Sequence, residues 1–370
     1  PHVKYTEGRF LPYFFPDTFY EGNDPVPEAM KNWITARRAI MRKPVDRIGY
    51  GGYLSLAYKF PKFVEYIENV TDEFRLIYDN IKGIHPYNGL KVAVLNSWGS
   101  LRSWQAYMVA HELWYKQCYS YMGVMEALSG AAIDVTFLSF REIREQGIPS
   151  DVDVIINAGD AMTAFSGGEE WADPEVTAKI RQWVYEGGGF LGVGEPSAYH
   201  NGGRFFQLAD VLGVDKELGF TLSTDKYFKT PVEHHFISED RTVPYDFGES
   251  MKNVYALSGD TEIVEFSNGE VHASAHHYGK GCGVYFAGLP YSFENTRLLL
   301  RGLYYAAGKQ EEMKKWFAEN LNCEVHAYPE AGKYAILNNT SQTQTTVVYD
   351  GEGKTETYTM QPGEIIWKEI

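Results

Sequence analysis

The strongest constraint on the fold of this chain is an alternation of short apolar runs and helical segments in its middle. Continuous apolar runs that end in turn residues are typical of strands buried on both faces of a parallel sheet. The runs are KVAVLNSWG (91–99), IDVTFLSF (133–140), VDVIINAG (152–159) and FLGVGEP (190–196). Two predicted helices separate these runs, one at about 102–129 and one that begins after Asp173. Asp173 is a favourable N-cap residue, and Pro174 suits the first turn. We therefore predict an open α/β sheet with helices on both faces.

The segment before this sheet has a different pattern. Residues 1–25 are broken by prolines and are predicted to form a loop. Apolar residues at helical spacing predict helices from Pro27 to about Arg42 and from Pro61 to Gly83. Between them, PVDRIGYGGYLS predicts tight, exposed backbone because of its glycines.

The segment after the sheet ends in a region of alternating apolar and polar residues. EIVEFS and SAHHYGKGCGVYFAG add apolar runs, and a helix is predicted at about 294–307. From about residue 324 the alternation predicts antiparallel strands, with turns at YDGEGK and QPGE. The C-terminal part is therefore predicted to be a small antiparallel β domain.

Composition narrows the class of protein. The net charge is −15, from 34 basic and 49 acidic residues, which argues against nucleic acid or an anionic membrane as the main partner. No apolar run is long enough to span a bilayer. Three widely spaced cysteines (Cys118, Cys282 and Cys323) favour reduced thiols in a cytoplasmic protein. The chain opens PHVKYTEGRF, without initiator Met or signal peptide, so we expect a piece of a longer protein.

Two glycine-rich motifs are candidates for catalysis. GVGEP lies at a predicted strand-to-helix elbow. An amidotransferase-like domain holds a Ser or Cys nucleophile at this elbow, but here the position is Gly194, followed by Glu195. We therefore expect no nucleophilic catalysis there. Gly187–Gly189 follows a helix and precedes a strand, the reverse of the order in a dinucleotide-binding loop, so it is interpreted as a helix stop.

The histidines are weaker candidates. His234, His235, His272, His276 and His277 are metal-ligand residue types. Their surroundings predict strand and turn rather than helix, so we expect no metal site.

The segment LRSWQ places Arg102 where it could line the crevice at the strand ends, with a buried helix start as the alternative.

The segment GRFLPYFFPD (8–17) combines a cation with aromatic residues. Arg9 is a rigid fork suited to phosphate or carboxylate. Tyr13 and Phe15 alternate, so both project to one side if the stretch is extended. This pattern suits a sugar beside an anion, and hydrophobic anchoring is an equally open alternative.

Several long motifs in order carry a family resemblance. They are GRFLPYFFPDTF, RRAIMRKPVDRIGYGGYLSLA, KVAVLNSWGSLRSWQ, VIINAGDAMTAFSGGEEWAD and GGGFLGVGEPSA. With them, the chain resembles the 1,3-β-galactosyl-N-acetylhexosamine phosphorylases, the lacto-N-biose/galacto-N-biose phosphorylase family, over essentially all 370 residues. Galactosyl-rhamnose phosphorylases share this architecture and stay as an alternative.

The resemblance implies a domain layout. Residues 1–88 would be the last part of a TIM-like barrel, 89–312 a central amidotransferase-like open α/β domain, and 313–370 a small C-terminal antiparallel β domain. Family members are roughly twice this length, and their general acid, an aspartate, is expected upstream of residue 1. The resemblance therefore assigns no catalytic residue to this chain. The central domain would cover the barrel mouth and support a homodimer.

The resemblance also implies a reaction and binding residues. The reaction is inverting phosphorolysis of β-1,3-galactosyl-N-acetylhexosamine, with phosphate as a substrate and no cofactor or metal. Arg9 would bind phosphate, and Tyr13 and Phe15 would form walls of the acceptor subsite. Tyr50, Arg102 and Glu195 are lesser crevice candidates. The alternatives are a non-catalytic structural and oligomerisation module and, more remotely, a sugar-binding or glutaminase-type protein.

Overall fold

The computed structural model describes residues 4–97, 116–201, 203–218, 228, 230–249 and 252–370. The chain divides into two compact units. The first comprises Pro1–Tyr87, Ser129–Ala132 and Lys314–Ile370. The second comprises Asn88–Leu128 and Ile133–Met313. The first and last parts of the sequence therefore fold together, although the chain leaves this unit to build the second.

A seven-stranded sheet forms the centre of the second unit. In spatial order its strands are β11 (Glu262–Ser267), β12 (Glu270–Tyr278), β13 (Gly281–Phe286), β6 (Gly189–Gly194), β5 (Val154–Gly159), β3 (Leu90–Asn96) and β4 (Ile133–Ser139). The five strands from β13 to β4 are parallel, and β12 and β11 continue the sheet antiparallel. The intervening strands form two antiparallel pairs, β7 (Ala198–Asn201) with β8 (Arg204–Phe206) and β9 (Val214–Lys216) with β10 (Val254–Ala256). The predicted α/β sheet is confirmed. The sequence pattern did not show that β11 and β12 at its edge are antiparallel.

Turn residues explain the antiparallel edge. Asn268 and Gly269 join β11 to β12 with φ angles of 54° and 83°. Two successive positive φ angles are the conformation of the tight hairpin turns that Asn-Gly favours. Consecutive strands joined by such a turn must be antiparallel, whereas the parallel strands need longer connections.

The helices of the second unit cover both faces of the sheet. They include α4 (Lys116–Ser129), α5 (Phe140–Gln146), α6 (Pro174–Tyr185), α7 (Ala209–Leu212) and α8 (Phe293–Ala306). Phe190 shares a core with Val176 and Ile180 of α6. Its neighbour Leu191 approaches Gly302 of α8, where an added Cβ would lie 3.1 Å from Leu191. Because successive strand residues point to opposite faces, α6 and α8 lie on opposite faces, as predicted.

A capping residue fixes the start of α6. The side chain of Asp173 accepts a hydrogen bond from the Glu175 N–H at 2.8 Å, and Pro174 occupies the first turn. The cap predicted from the sequence is confirmed. The predicted helix at 102–129 is seen from Lys116 onward, and Arg102 lies outside the described residues.

The first unit begins with a parallel strand pair linked by a helix. Strand β1 (Glu7–Phe10) pairs with β2 (Arg47–Tyr50), and α1 (Val26–Arg42) connects them. Helices α2 (Leu54–Ala57) and α3 (Pro61–Ile81) follow. The predictions of α1 and α3 are confirmed. The expectation of loop was wrong for β1 and β2, since four-residue strands rich in Gly and Arg carry no readable apolar alternation.

The C-terminal strands form two antiparallel sheets in the same unit. One has the order β15 (Cys323–Tyr328), β16 (Lys333–Asn338) and β19 (Ile365–Glu369). The other has the order β14 (Phe317–Ala318), β17 (Gln344–Tyr349) and β18 (Thr355–Met360). The predicted antiparallel β structure is confirmed, and YDGEGK joins β17 to β18.

Helix α1 and the C-terminal strands share a core and a set of buried polar contacts. Trp33 and Met41 of α1 pack with Tyr328 of β15. The Arg37 guanidinium donates to the backbone oxygens of Asn338 and Gly363 at 2.9 and 2.6 Å. The predicted first and third domains are thus parts of one compact unit. The three-domain division at residues 88 and 312 stays a prediction.

An ion pair between α1 and β15 lies at this junction. The Arg38 guanidinium lies 2.6 Å from Glu324, and their side chains are 1% and 16% exposed. Burial raises the pKa of the Glu324 carboxyl, but Arg38 and His326 outweigh burial and hold that pKa at about 2. Gly130 leaves room for the pair, because an added Cβ there would lie 2.5 Å from the Glu324 carboxylate.

Two further expectations concern the thiols and membranes. Cys282 and Cys323 are buried free thiols, as predicted, and the side chain of Cys118 is outside the described part of the chain. Among the helices that the structure describes, none combines the length and the hydropathy needed to span a bilayer.

We predict that Glu324→Ala lowers the free energy of unfolding by about 3–5 kcal/mol at neutral pH, because it leaves the buried Arg38 charge without its carboxylate. Urea unfolding followed by circular dichroism measures this loss. Glu330→Ala, at an exposed position near β15, serves as the control and should change stability by less than about 0.5 kcal/mol. Equal losses in the two variants would contradict the assigned importance of the pair.

Candidate functional site

Arg9 lies on an exposed face of the β1–β2 pair. In the parallel register it is opposite Gly49, so no side chain stands directly across from it on β2. Strand alternation puts Glu7 and Arg9 on this face, while Phe10 points into the core with Trp33. The register therefore presents the guanidinium to solvent near the carboxyl end of the strand.

The charges around Arg9 leave its guanidinium available. Glu7 is engaged by Arg47, whose Nε donates to the Glu7 carboxylate at 2.7 Å. Within the described residues, the side chain of Arg9 makes no hydrogen bond or ion pair, and Arg9 is exposed. A guanidinium with unused donors can bind a phosphate or carboxylate through charge-assisted hydrogen bonds.

Tyr13 is part of the core. Its side chain is 2% exposed and packs with Ala29, Ala57 and Phe63. Its hydroxyl accepts a hydrogen bond from the Tyr53 N–H at 2.7 Å. Tyr13 therefore ties the segment after β1 to the segment after β2.

Phe15 lies on the surface, apart from Tyr13. Its side chain is 51% exposed and meets Phe14, 53% exposed, edge to face with 4.6 Å between ring centroids. The chain bends at Pro12, Phe14 and Phe15 and is not extended. The condition under which Tyr13 and Phe15 would share a side is therefore not met, and the two side chains differ in burial. The binding roles of Arg9, Tyr13 and Phe15 stay predictions.

Tyr50 stands at the end of β2 beside Tyr13. Burial, and then the neighbouring Tyr13, raise the pKa of Tyr50 to about 12. An added Cβ at Gly52 would lie 2.7 Å from the Tyr13 hydroxyl and 2.8 Å from the Tyr50 hydroxyl. The glycine therefore permits the close approach of the two phenols. Of the two crevice candidates in the described chain, Tyr50 lies close to a predicted site residue.

Glu195, the other candidate, lies at the carboxyl ends of the central strands. Its side chain accepts a hydrogen bond from the Ala161 N–H at 2.7 Å and forms an ion pair with Lys216. Burial, and then the charge of Glu195, raise the pKa of Asp160 to about 6, while Lys216 acts in the opposite direction. Sequence reasoning missed Lys216 because it is far from both carboxylates along the chain.

The elbow after β6 carries no nucleophile. Gly194 has a φ of 80°, and an added Cβ would lie 3.1 Å from the Gly159 carbonyl oxygen. The nearby hydroxyl of Ser197 is buried and accepts a hydrogen bond from the Leu208 N–H at 3.1 Å. The structure thus gives a physical reason for glycine at this position.

His235 caps a short helical turn. The Nδ1 atom of His235 accepts from the Ile237 N–H at 3.1 Å, and its Nε2 lies 3.3 Å from Glu262. His235 also lines a surface cavity of about 600 Å³ with His234 and Arg241. In the described part of the chain, no three His, Cys, Asp or Glu side chains come together as a metal site.

A solved structure gives the fold class. The GH42 β-galactosidase Gan42B from G. stearothermophilus superimposes with a TM-score of 0.52 at 12% identity, covering 92% of this chain and 51% of that one. At this identity the likeness concerns the fold alone. It agrees with the mixed α/β architecture described above.

Family profiles give the identification. The central domain of lacto-N-biose phosphorylase matches residues 91–311, its N-terminal TIM barrel domain residues 1–89, and its C-terminal domain residues 316–368. The chain belongs to the lacto-N-biose phosphorylase family, which confirms the resemblance drawn from the motifs.

Curated relatives agree with this identification. A 1,3-β-galactosyl-N-acetylhexosamine phosphorylase of Lachnoclostridium phytofermentans is 54% identical over 100% of this chain and 51% of its own length. The Bifidobacterium longum protein of the same description is 48% identical, over 100% of this chain and 53% of its own length. A D-galactosyl-β-1→4-L-rhamnose phosphorylase of L. phytofermentans is 38% identical, over 92% and 47%. The chain spans about half the length of these relatives.

We predict a pH-dependent effect of Asp160→Asn on stability. The raised pKa of Asp160 means that its ionisation disfavours the folded state. The favourable contribution is complete below about pH 4 and is lost as the pH rises through about 6. The variant, which cannot ionise there, should match the original protein at pH 4 and be about 1–3 kcal/mol more stable at pH 8.

Urea unfolding at both pH values measures this difference. Asp134→Asn, at an exposed position on β4, is the control and should show the same effect at both pH values. A difference for Asp160→Asn that does not change with pH would contradict the assignment.

Proposed function

We propose that this chain is part of an enzyme that carries out inverting phosphorolysis of β-1,3-galactosyl-N-acetylhexosamine, yielding α-galactose 1-phosphate and N-acetylhexosamine. Phosphate attacks the anomeric carbon from the face opposite the leaving oxygen, so the configuration inverts. An acid protonates the leaving oxygen. Phosphate is already an anion and replaces the water of inverting hydrolysis, so the reaction needs no general base.

The single observation that carries this proposal is the guanidinium of Arg9, which is unpaired within the described residues. It is exposed on β1, while the neighbouring Arg47 is paired with Glu7. Hydrogen bonds between a guanidinium and a phosphate oxygen are charge-assisted and set the position of the anion. We assign Arg9 to hold the attacking phosphate.

Phe15 supports an acceptor subsite next to this anion site. Its exposed ring offers a flat apolar surface for the acceptor sugar, six residues along the chain from Arg9. Tyr13, also assigned to the subsite from the sequence, is buried and contributes by fixing the loop that carries Phe15. The anion and the acceptor would thus be bound by one short segment.

Similarity to known phosphorylases favours a hexosamine over rhamnose as acceptor. The relatives that act on galactosyl-N-acetylhexosamine are 54% and 48% identical to this chain, and the galactosyl-rhamnose phosphorylase is 38% identical. We therefore keep rhamnose as the second candidate.

The wider context is proposed on the same basis. Residues 1–88 would close a TIM-like barrel, 89–312 would form an amidotransferase-like domain without its nucleophile, and 313–370 the C-terminal β domain. The general acid would be an aspartate outside these 370 residues. We propose a cytoplasmic homodimer that needs no cofactor or metal and binds neither nucleic acid nor membranes.

We predict that Arg9→Ala in the full-length protein raises the KM for phosphate about tenfold to a hundredfold, because it removes charge-assisted hydrogen bonds worth about 1.5–3 kcal/mol. Initial rates of galactose 1-phosphate formation at varied phosphate measure the effect. Arg47→Ala, on the same face but paired with Glu7, is the matched control and should change this KM less than threefold. An unchanged KM in Arg9→Ala would refute the phosphate role.

We also predict the acceptor preference in the synthetic direction. With α-galactose 1-phosphate as donor, kcat/KM for N-acetylglucosamine or N-acetylgalactosamine should exceed that for L-rhamnose at least about tenfold, a difference of about 1.4 kcal/mol. Phosphate release measured with each sugar tests this. A preference for rhamnose would favour the second candidate.

A further inference from the structure

We infer that Glu28 and Phe14 are positioning residues for Phe15 and thereby set the affinity for the acceptor sugar. The inference rests on the proposed function, since it concerns the acceptor subsite of that reaction. It adds two residues, Glu28 and Phe14, that the sequence analysis did not assign to the site.

Glu28 fixes the backbone of the loop. It lies in the first turn of α1, and its carboxylate accepts the Phe14 N–H at 2.6 Å. A carboxylate in the first turn of a helix is itself stabilised by the helix dipole. One turn further on, the Asn32 amide donates to the Leu11 carbonyl oxygen at 3.3 Å. Helix α1 therefore holds the loop at two points, one directly beside Phe15.

Phe14 fixes the ring of Phe15. The two rings meet edge to face, with 4.6 Å between centroids and 87° between planes. Both rings are about half exposed, so solvent alone would leave the orientation of Phe15 free. The contact with Phe14, whose backbone N–H is bound by Glu28, restricts the orientation of the Phe15 ring.

Arg9 is fixed independently of Glu28. It belongs to β1, whose backbone is paired with β2, and it precedes the bends of the loop. A change at Glu28 should therefore affect the acceptor and leave phosphate binding unchanged. This split distinguishes positioning of Phe15 from a general loss of structure.

The test uses the full-length protein with four single variants, described first, and with Phe15→Ala alone and combined with Glu28→Ala. Glu28→Ala removes the hydrogen bond, and Glu28→Gln keeps an acceptor oxygen. Phe14→Ala removes the ring contact but leaves the backbone hydrogen bond. Glu65→Ala removes an exposed carboxylate from α3 and is the matched control. Steady-state kinetics give the KM for N-acetylglucosamine in synthesis and the KM for phosphate in phosphorolysis, and the thermal midpoint reports folding.

We expect Glu28→Ala and Phe14→Ala to raise the KM for the acceptor about threefold to tenfold, the effect of one lost hydrogen bond or ring contact. Glu28→Gln and Glu65→Ala should stay within about twofold of the original protein. The KM for phosphate should stay within about twofold in all four variants. In a Phe15→Ala background, Glu28→Ala should add no further increase, because no ring is left to position.

An unchanged acceptor KM in Glu28→Ala, together with a raised one in Phe15→Ala, would overturn this inference and leave the proposed function standing. An unchanged acceptor KM in Phe15→Ala itself would overturn this inference and the acceptor role of Phe15, whereas the phosphorolysis is tested separately by Arg9→Ala. If Glu28→Ala fails to fold, Glu28→Gln and Phe14→Ala decide. In that case, a raised acceptor KM in Phe14→Ala together with an unchanged acceptor KM in Glu28→Gln supports the inference. An unchanged acceptor KM in Phe14→Ala overturns it.

Discussion

The first unit depends on the burial of arginine side chains where α1 meets the C-terminal strands. Arg37 and Arg38 are each 1% exposed. Arg38 is paired with Glu324, and Arg37 is paired with Glu73 and donates to the backbone oxygens of Asn338 at the end of β16 and Gly363 before β19. A buried charge without its partner strongly disfavours the folded state. Helix α1 and the C-terminal strands therefore stabilise each other, although almost the whole chain separates them in sequence.

This constraint reaches the candidate site through α1. The C-terminal half of the helix carries the two arginines, and its first two turns carry Glu28 and Asn32, which hold the loop after β1. The position of Phe15 is thus set by a helix that the C-terminal strands anchor. The proposed acceptor subsite would thus depend on the C-terminal β structure through α1.

The carboxyl ends of the central strands in the second unit carry a set of polar groups that contact one another, and the fold alone does not assign them a function. Gly194 occupies the turn at the end of β6 with a φ of 80°, and an added Cβ would lie only 3.1 Å from the Gly159 carbonyl oxygen, so a larger residue would be strained there. The buried Glu195 is neutralised by Lys216 and a backbone N–H. Within the described residues, Glu195 is therefore held in place by partners on both sides.

Local sequence patterns determined much of this protein. Apolar residues at helical spacing predicted α1 and α3, continuous apolar runs predicted the parallel strands, and Asp173 predicted its cap. Each of these signals acts between residues close in sequence, where backbone geometry repeats. The long motifs also identified the family, and they assigned Arg9 and Phe15 to a candidate binding site.

Only the tertiary structure decided what those residues face. Tyr13 and Phe15 are two residues apart, yet one is buried and the other exposed, because a bent loop has no period from which direction could be read. The pairing of Arg38 with Glu324 joins residues 286 positions apart. Such contacts arise when distant segments compete for the same buried space, and no local pattern in the chain encodes the outcome.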